Sequence, residues 1–155
     1  MDGDRGMMIQ DNRQINIRLE QMGNRAMAQK GLTAIQAHVL LYILDHSEQG
    51  VSLTDIHREF QCSMAALSEL VKRLREKDYV RVEPCAQDDR RKILFGTEKG
   101  LRIRAFLDRA ISTAQDQLYS GFSPQELATL DRLQKKMLRN LSARTQNHDK
   151  EVSKP

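Results

Sequence analysis

No stretch of the chain is apolar for long enough to cross a bilayer, and no apolar leader of the secretory kind opens it. Only two cysteines occur in 155 residues, too few for a disulfide-stapled scaffold, so a reducing, cytoplasmic setting without membrane contact is expected. Enzyme signatures are also missing. There is no glycine-rich phosphate loop, no nucleophile beside a base and no pair of carboxylates in a recognisable frame, so a non-enzyme without a cofactor is expected. His38, His46 and His57 lack the close helical spacing of a metal site and His148 lies in a polar tail, so no bound metal is expected either. The length suits one well-buried folding unit. A formal net charge of +4 and a pI near 9.2 suit a polyanionic partner without approaching the charge of a nonspecific nucleic-acid coat.

The informative stretch runs from Ser52 to Gly100. Ser52 is placed to cap a helix with Asp55 in its first turn, and Leu53, Ile56 and Phe60 fall on one face of it. Gln61 and Cys62 interrupt the pattern. Ser63 supplies a second N-cap hydroxyl, and Leu67, Leu70, Val71 and Leu74 form the buried stripe of a helix running to about Asp78. The other face of that helix carries Met64, Ala65, Ser68, Glu69, Lys72, Arg73 and Arg75. Small side chains at the start allow close approach to base edges, and the cations further along are placed to meet phosphates on either side of a major groove. Tyr79 to Glu83 alternates like a strand, Pro84 to Arg91 is turn-like, and Ile93 to Phe95 returns as a second strand. Arg90, Arg91 and Lys92 are expected at the hairpin tip, where an arginine can enter a narrow minor groove.

These residues resemble the winged helix of the MarR (multiple-antibiotic-resistance regulator) family. The wing pattern of that family, Asp-x-Arg, an aliphatic strand and then Thr-x-x-Gly, falls on Asp88, Arg90, Ile93, Leu94, Thr97 and Gly100. The resemblance implies a mainly α fold with a small β wing: a winged helix-turn-helix flanked by N- and C-terminal dimerisation helices. It also implies that Arg90 reaches the minor groove and that Asp88 holds the wing by pairing with a nearby cation. Three residues depart from the pattern. Gln61 and Asp78 stand where relatives usually place glycine, so those turns are either left-handed at non-glycine residues or built differently. Gly96 replaces a usual aliphatic residue and is expected to loosen the second wing strand. Glu69 stands where relatives often carry a basic residue. It would accept from a cytosine amino group if it points into the groove, and otherwise pair with Lys72 or Arg73 on its own helix.

Outside the reader, expected at about residues 33–100, Ile9 to Lys30 reads as a helix with Ile15, Leu19, Met22, Ala26 and Met27 on one face, mildly interrupted by Gly23. Thr33 and Gln36 form a capping box before the stripe Val39, Leu40, Ile43 and Leu44. Thr97 caps a helix through Ile103, Phe106, Leu107, Ala110, Ile111 and Leu118. Ser123-Pro124-Gln125-Glu126 opens another, which carries Leu127, Leu130, Leu133, Met137, Leu138 and Leu141. Met1 to about Met7 and residues 142–155 lack periodic apolar positions, and both ends are expected to fray. Residues 9–30 and 101–141 hold more apolar surface than one small winged domain covers. An intrachain cap and a homodimer are both open to periodicity, and the resemblance favours the homodimer. It also places an effector pocket near His38 and Tyr42. Cys62 reads as a small hydrophobe and Cys85 as a more exposed thiol at the wing base; neither makes a case for redox sensing. The expected function is a sequence-specific double-stranded-DNA-binding repressor, dimeric on a pseudo-palindromic operator and tuned by a small-molecule effector. The rival readings are a winged helix used as a protein-interaction module and a small-molecule-binding protein built on the dimer helices.

Overall fold

The structure, a computed structural model, describes the backbone of residues 2–152 and the side chains of residues 4–88 and 90–142. Six α-helices and three short strands follow in the order α1 (Asp2–Met27), a single 3-10 turn (Ala28–Lys30), α2 (Ala34–Asp45), β1 (Val51–Ser52), α3 (Leu53–Phe60), α4 (Met64–Glu76), β2 (Val80–Cys85), β3 (Asp88–Gly96), α5 (Glu98–Leu118) and α6 (Pro124–Val152). Two compact units result, residues 1–114 and 115–155.

In the first unit, helix starts are set by side-chain caps. The Thr33 hydroxyl accepts from Gln36 N–H at 3.3 Å while the Gln36 side chain accepts from Thr33 N–H at 3.0 Å. Asn24 adds a tie across the α1–α2 connection, its Oδ1 accepting from Ala34 N–H at 2.8 Å. Ser63 Oγ accepts from Ala66 N–H at 3.2 Å to start α4. The core then forms where the stripes meet: Val39, Leu40 and Ile43 of α2, Ile56 of α3, Leu67 and Leu74 of α4, Leu94 of β3 and Leu107 of α5 are almost wholly removed from water. Burying side chains of this size contributes about 1.5–3 kcal/mol each. The first half of α5 therefore serves this core, with Ile103 and Phe106 packed against it.

Strands pair antiparallel in the order β1-β3-β2. The strand at Val51–Ser52 was not legible as a strand, because two residues carry no alternation and Ser52 reads first as a cap. Gly96 does not loosen β3, contrary to expectation. It pairs with Val80, its N–H donates to Ser47 Oγ at 3.2 Å, and the space a Cβ would take is filled by Leu44 Cδ2. The missing side chain is what lets the end of α2 close onto the sheet. Gln61 and Asp78 adopt left-handed backbones with φ of 55° and 62°. Gln61 N–H donates to His57 C=O at 2.9 Å and its side-chain amide to Arg58 C=O at 2.7 Å, which helps hold the turn.

The second unit holds the end of α5 and α6, joined by a turn in which Gly121 has φ 82° and the rings of Tyr119 and Phe122 meet edge to face at 6.0 Å. Ser123 Oγ accepts from Glu126 N–H at 3.2 Å and Glu126 Oε2 accepts from Ser123 N–H at 2.8 Å, with Pro124 at the first helical position. Both terminal helices run further than apolar periodicity suggested: α1 begins at Asp2 and α6 continues to Val152. No proline interrupts either extension, and residues such as Ala, Arg, Gln, Lys and Glu continue a helix without needing burial. The side chain of His148 lies outside the described residues. No helix among the described residues is long and apolar enough to cross a membrane.

Candidate nucleic-acid interface

Helix α4 buries Leu67, Val71 and Leu74, so the helical repeat turns Ala65, Glu69, Lys72 and Glu76 to the opposite face, flanked by Met64, Ser68 and Arg75 on one side and Arg73 on the other. All of these are exposed, as is Ser63, whose hydroxyl is engaged as the N-cap. Glu69 pairs with Arg73, its Oε1 lying 3.3 Å from Nη2, one helical turn along. Lys72 and Arg75 make no ion pair among the described residues. The sequence pattern places Met64, Ala65, Ser68, Glu69, Lys72, Arg73 and Arg75 on the face opposite the buried stripe, and all seven are exposed in the structure.

The wing is built differently from the expected turn over Pro84–Arg91. Strand β2 continues through Cys85 and β3 starts at Asp88, leaving Ala86 and Gln87 as the turn. Arg90, Arg91 and Lys92 therefore lie along β3, away from the tip. The register jumps from Pro84↔Lys92 to Cys85↔Asp88, which puts residues 89–91 into a bulge. Proline has no N–H to offer the ladder, so the jump falls beside it. Asp88 does hold the wing, by a different bond from the one expected: its Oδ1 accepts from the Arg90 backbone N–H at 3.0 Å, and it makes no ion pair among the described residues. A carboxylate two residues before a backbone donor closes a local ring more readily than it reaches a distant cation.

Arg90 and Lys92 are exposed and unpaired among the described residues, whereas Arg91 turns back to the body, its Nη2 donating to Ser52 Oγ at 3.3 Å. Ser52 is a junction. Its hydroxyl also donates to Asp55 Oδ2 at 2.8 Å, its N–H donates to the same oxygen at 2.9 Å, and Asp55 N–H donates back at 3.2 Å. Hydrogen bonds from the Ser52 N–H and hydroxyl, helped by the charges of Arg91 and Arg58, hold the Asp55 carboxyl below its ordinary pKa. The wing, β1 and the start of α3 are thus one network. The capping box announced half of it; no sequence signal linked Arg91, 39 positions away, to Ser52.

The two α2 side chains singled out for an effector, His38 and Tyr42, do not border one groove of this unit. That groove, of about 270 Å³, runs between the start of α2 and α4 and is bordered by Ile35, Gln36, Ala66, Glu69 and Arg73. Tyr42 is half-buried against the rings of His46 (4.4 Å) and Phe60 (5.7 Å). His38 lies at the surface, where partial desolvation lowers its pKa. Cys62 and Cys85 are both half-buried free thiols, Cys85 less open than expected. Among the described residues no cluster of histidine, cysteine or carboxylate side chains could hold a metal ion.

Comparison with known proteins agrees with this geometry. A model described as the MarR family matches residues 30–91, from the 3-10 turn to Arg91. Among solved structures, S. aureus MepR in a DNA complex is 26% identical, with a TM-score of 0.78 over 83% of this chain and 93% of that one. The transcriptional regulator SlyA is 20% identical, with a TM-score of 0.82 over 88% and 94% of the two chains. A putative MarR family regulator from Listeria monocytogenes, solved with a 26mer DNA, is 20% identical with a TM-score of 0.82 over 92% and 93%. The helix-turn-helix and most of the wing fall within the segment that matches the MarR family model, and the fold, flanking helices included, is similar to that of these winged-helix structures.

Proposed function

We propose that the protein is a cytoplasmic, sequence-specific double-stranded-DNA-binding regulator that acts as a homodimeric repressor and is released by a small-molecule effector. The observation that carries this reading is the pairing of an exposed α4 face, small at its start and cationic beyond, with the exposed cations Arg90 and Lys92 on the wing. Helix α4 enters the major groove with Ala65, Ser68 and Glu69 toward the bases and Lys72, Arg73 and Arg75 toward phosphates, while Arg90 reaches the minor groove. Arg91, tied to Ser52, aims the wing. The DNA complex of the 26%-identical MepR supports the same mode of binding here.

Exposed apolar side chains on α1 (Ile15 and Ile17) and on α6 (Leu133, Met137 and Leu138) support a homodimer through the terminal helices. Two copies would set half-sites about 34–36 Å apart, one duplex turn. An effector acts by binding one dimer geometry better than the other, with His38 and Tyr42 on α2 as the residues we put forward for contact.

Titrating duplex binding against salt tests the reading. The wild type should show a linear fall of log affinity with log salt, together with preference for one sequence. Lys72→Ala should lower affinity across sequences and reduce the slope by about 0.9 for each phosphate left without its cation, and Arg90→Ala should weaken binding through the wing. Unchanged affinity and slope in both variants would overturn it, and a salt-insensitive association would favour a protein-interaction module.

A further inference from the structure

The outermost face of α4 carries two acids, Glu69 near its middle and Glu76 at its end, where a purely phosphate-seeking helix would carry none. Glu69 lies one turn after Ala65 and one turn before Arg73, opposite the buried Leu67, Val71 and Leu74. Its side chain is 55% exposed although it pairs with Arg73 at 3.3 Å. A bare carboxylate on a surface that approaches DNA is repelled by the backbone phosphates, so its presence there needs either neutralisation or a donor to accept from. Arg73 supplies the first. It stands on the flank of the helix, offsets the charge of Glu69 by pairing with Oε1, and leaves the side chain more than half exposed.

The donor is available only on particular base edges. In the major groove guanine offers two acceptors and thymine offers an acceptor and a methyl group, which all repel or waste a carboxylate. Adenine offers an amino group beside the acceptor N7, so one carboxylate oxygen meets a lone pair. Cytosine offers its amino group with no acceptor alongside on that edge. We propose that Glu69 is a specificity residue that selects a cytosine in each half-site, with Ala65 giving the carboxylate room to approach and Arg73 positioning it. This inference rests on α4 being the DNA-reading helix. The exposed pair within the helix is worth about a factor of two, so any loosening of it as the carboxylate meets a base while still beside Arg73 costs little against a contact that discriminates by about tenfold.

Selection of bound duplexes from a random pool, with the full chain as wild type, Glu69→Gln and Glu69→Ala, tests it. Both substitutions sit at an exposed helical position, and thermal melting of each variant checks that the fold is kept. The wild type should recover a motif with an invariant cytosine at one position of each half-site, and both variants should lose that preference while keeping the rest of the motif. On fixed duplexes, replacing that cytosine should cost the wild type about tenfold per half-site and the variants less than about twofold. Identical motifs from all three proteins would overturn the proposal. So would a uniform rise in affinity for every duplex in the variants, since Glu69 would then act only as a repelling charge. If the wild type selects no sequence at all, the DNA-reading interpretation of α4 falls and this inference with it, a result distinct from a motif that ignores Glu69.

Discussion

Replacing Gly100 by alanine should destabilise the protein, although it puts a better helix former into α5. Gly100 is buried in the first turn of that helix, and a Cβ there would come within 2.5 Å of the Tyr79 carbonyl oxygen. That oxygen cannot withdraw freely, because it accepts from Thr97 N–H at 3.1 Å, and Tyr79 N–H is itself bonded to Leu74 C=O at 3.0 Å. Overpacking of this kind costs about 1–3 kcal/mol and weakening the Thr97 bond about 1 kcal/mol more. Helix propensity returns at most about 1 kcal/mol, and less in a first turn. The net loss of about 1–3 kcal/mol should lower the melting temperature by about 3–10 °C for a chain of this size. Gly6→Ala is the matched control, since nothing lies within 4 Å of its Cβ position and propensity alone should leave stability unchanged or raised. Thermal denaturation followed by circular dichroism, at one protein concentration so that association contributes equally, reads both variants. A Gly100→Ala protein that melts at or above the wild-type temperature would refute the account of the Tyr79–Thr97 junction.

Asp78→Gly should raise stability by about 0.5–1 kcal/mol, because the left-handed backbone at φ 62° costs an L-residue more than glycine loses in chain entropy; urea midpoints measure it, and a fall would mean the Asp78 side chain matters more than its backbone. Gly96→Ala should destabilise by about 1–2 kcal/mol through its overlap with Leu44 Cδ2, and the cost should shrink in a Leu44→Ala background; strictly additive losses would exclude that contact. The Asp55 carboxyl has a folded pKa below its unfolded value, so its stabilisation is fully present above the unfolded pKa and is lost as pH falls through the folded one. Wild type and Asp55→Asn should therefore differ in melting temperature at pH 7 and converge below about pH 4, the ordinary range for an aspartate; a gap that persists to pH 2 would show that the difference does not come from ionisation.

The capped helices and the reader were largely legible from residues alone, because each start carries its own chemistry. Thr33 with Gln36, Ser52 with Asp55, and Ser123 with Glu126 are short-range pairs that need no tertiary context. The buried stripe of α4 is likewise local, and fixing it fixes which side chains face outward. The wing was less legible because its geometry depends on pairing across strands. Pro84 displaces the register, and neither that shift nor the return of Arg91 to Ser52 is written in spacing. Gly96 looked like a weak point in a strand and is a docking notch for Leu44, information held 52 positions earlier in the chain. The lengths of α1 and α6 escaped apolar periodicity because a helix made of polar residues with good propensity leaves no stripe to read.

The slipped register beside Pro84 separates the wing into a ladder-paired part and a bulged part. Val82 and Leu94 keep the base seated in the interior, whereas the residues that carry the outward arginine hang from a stretch where the rungs are missing. Where cross-strand rungs stop, side chains take over: the Asp88 carboxylate accepts from the Arg90 N–H and Arg91 donates to Ser52, so the outward direction of Arg90 is set by local bonds and not by the sheet.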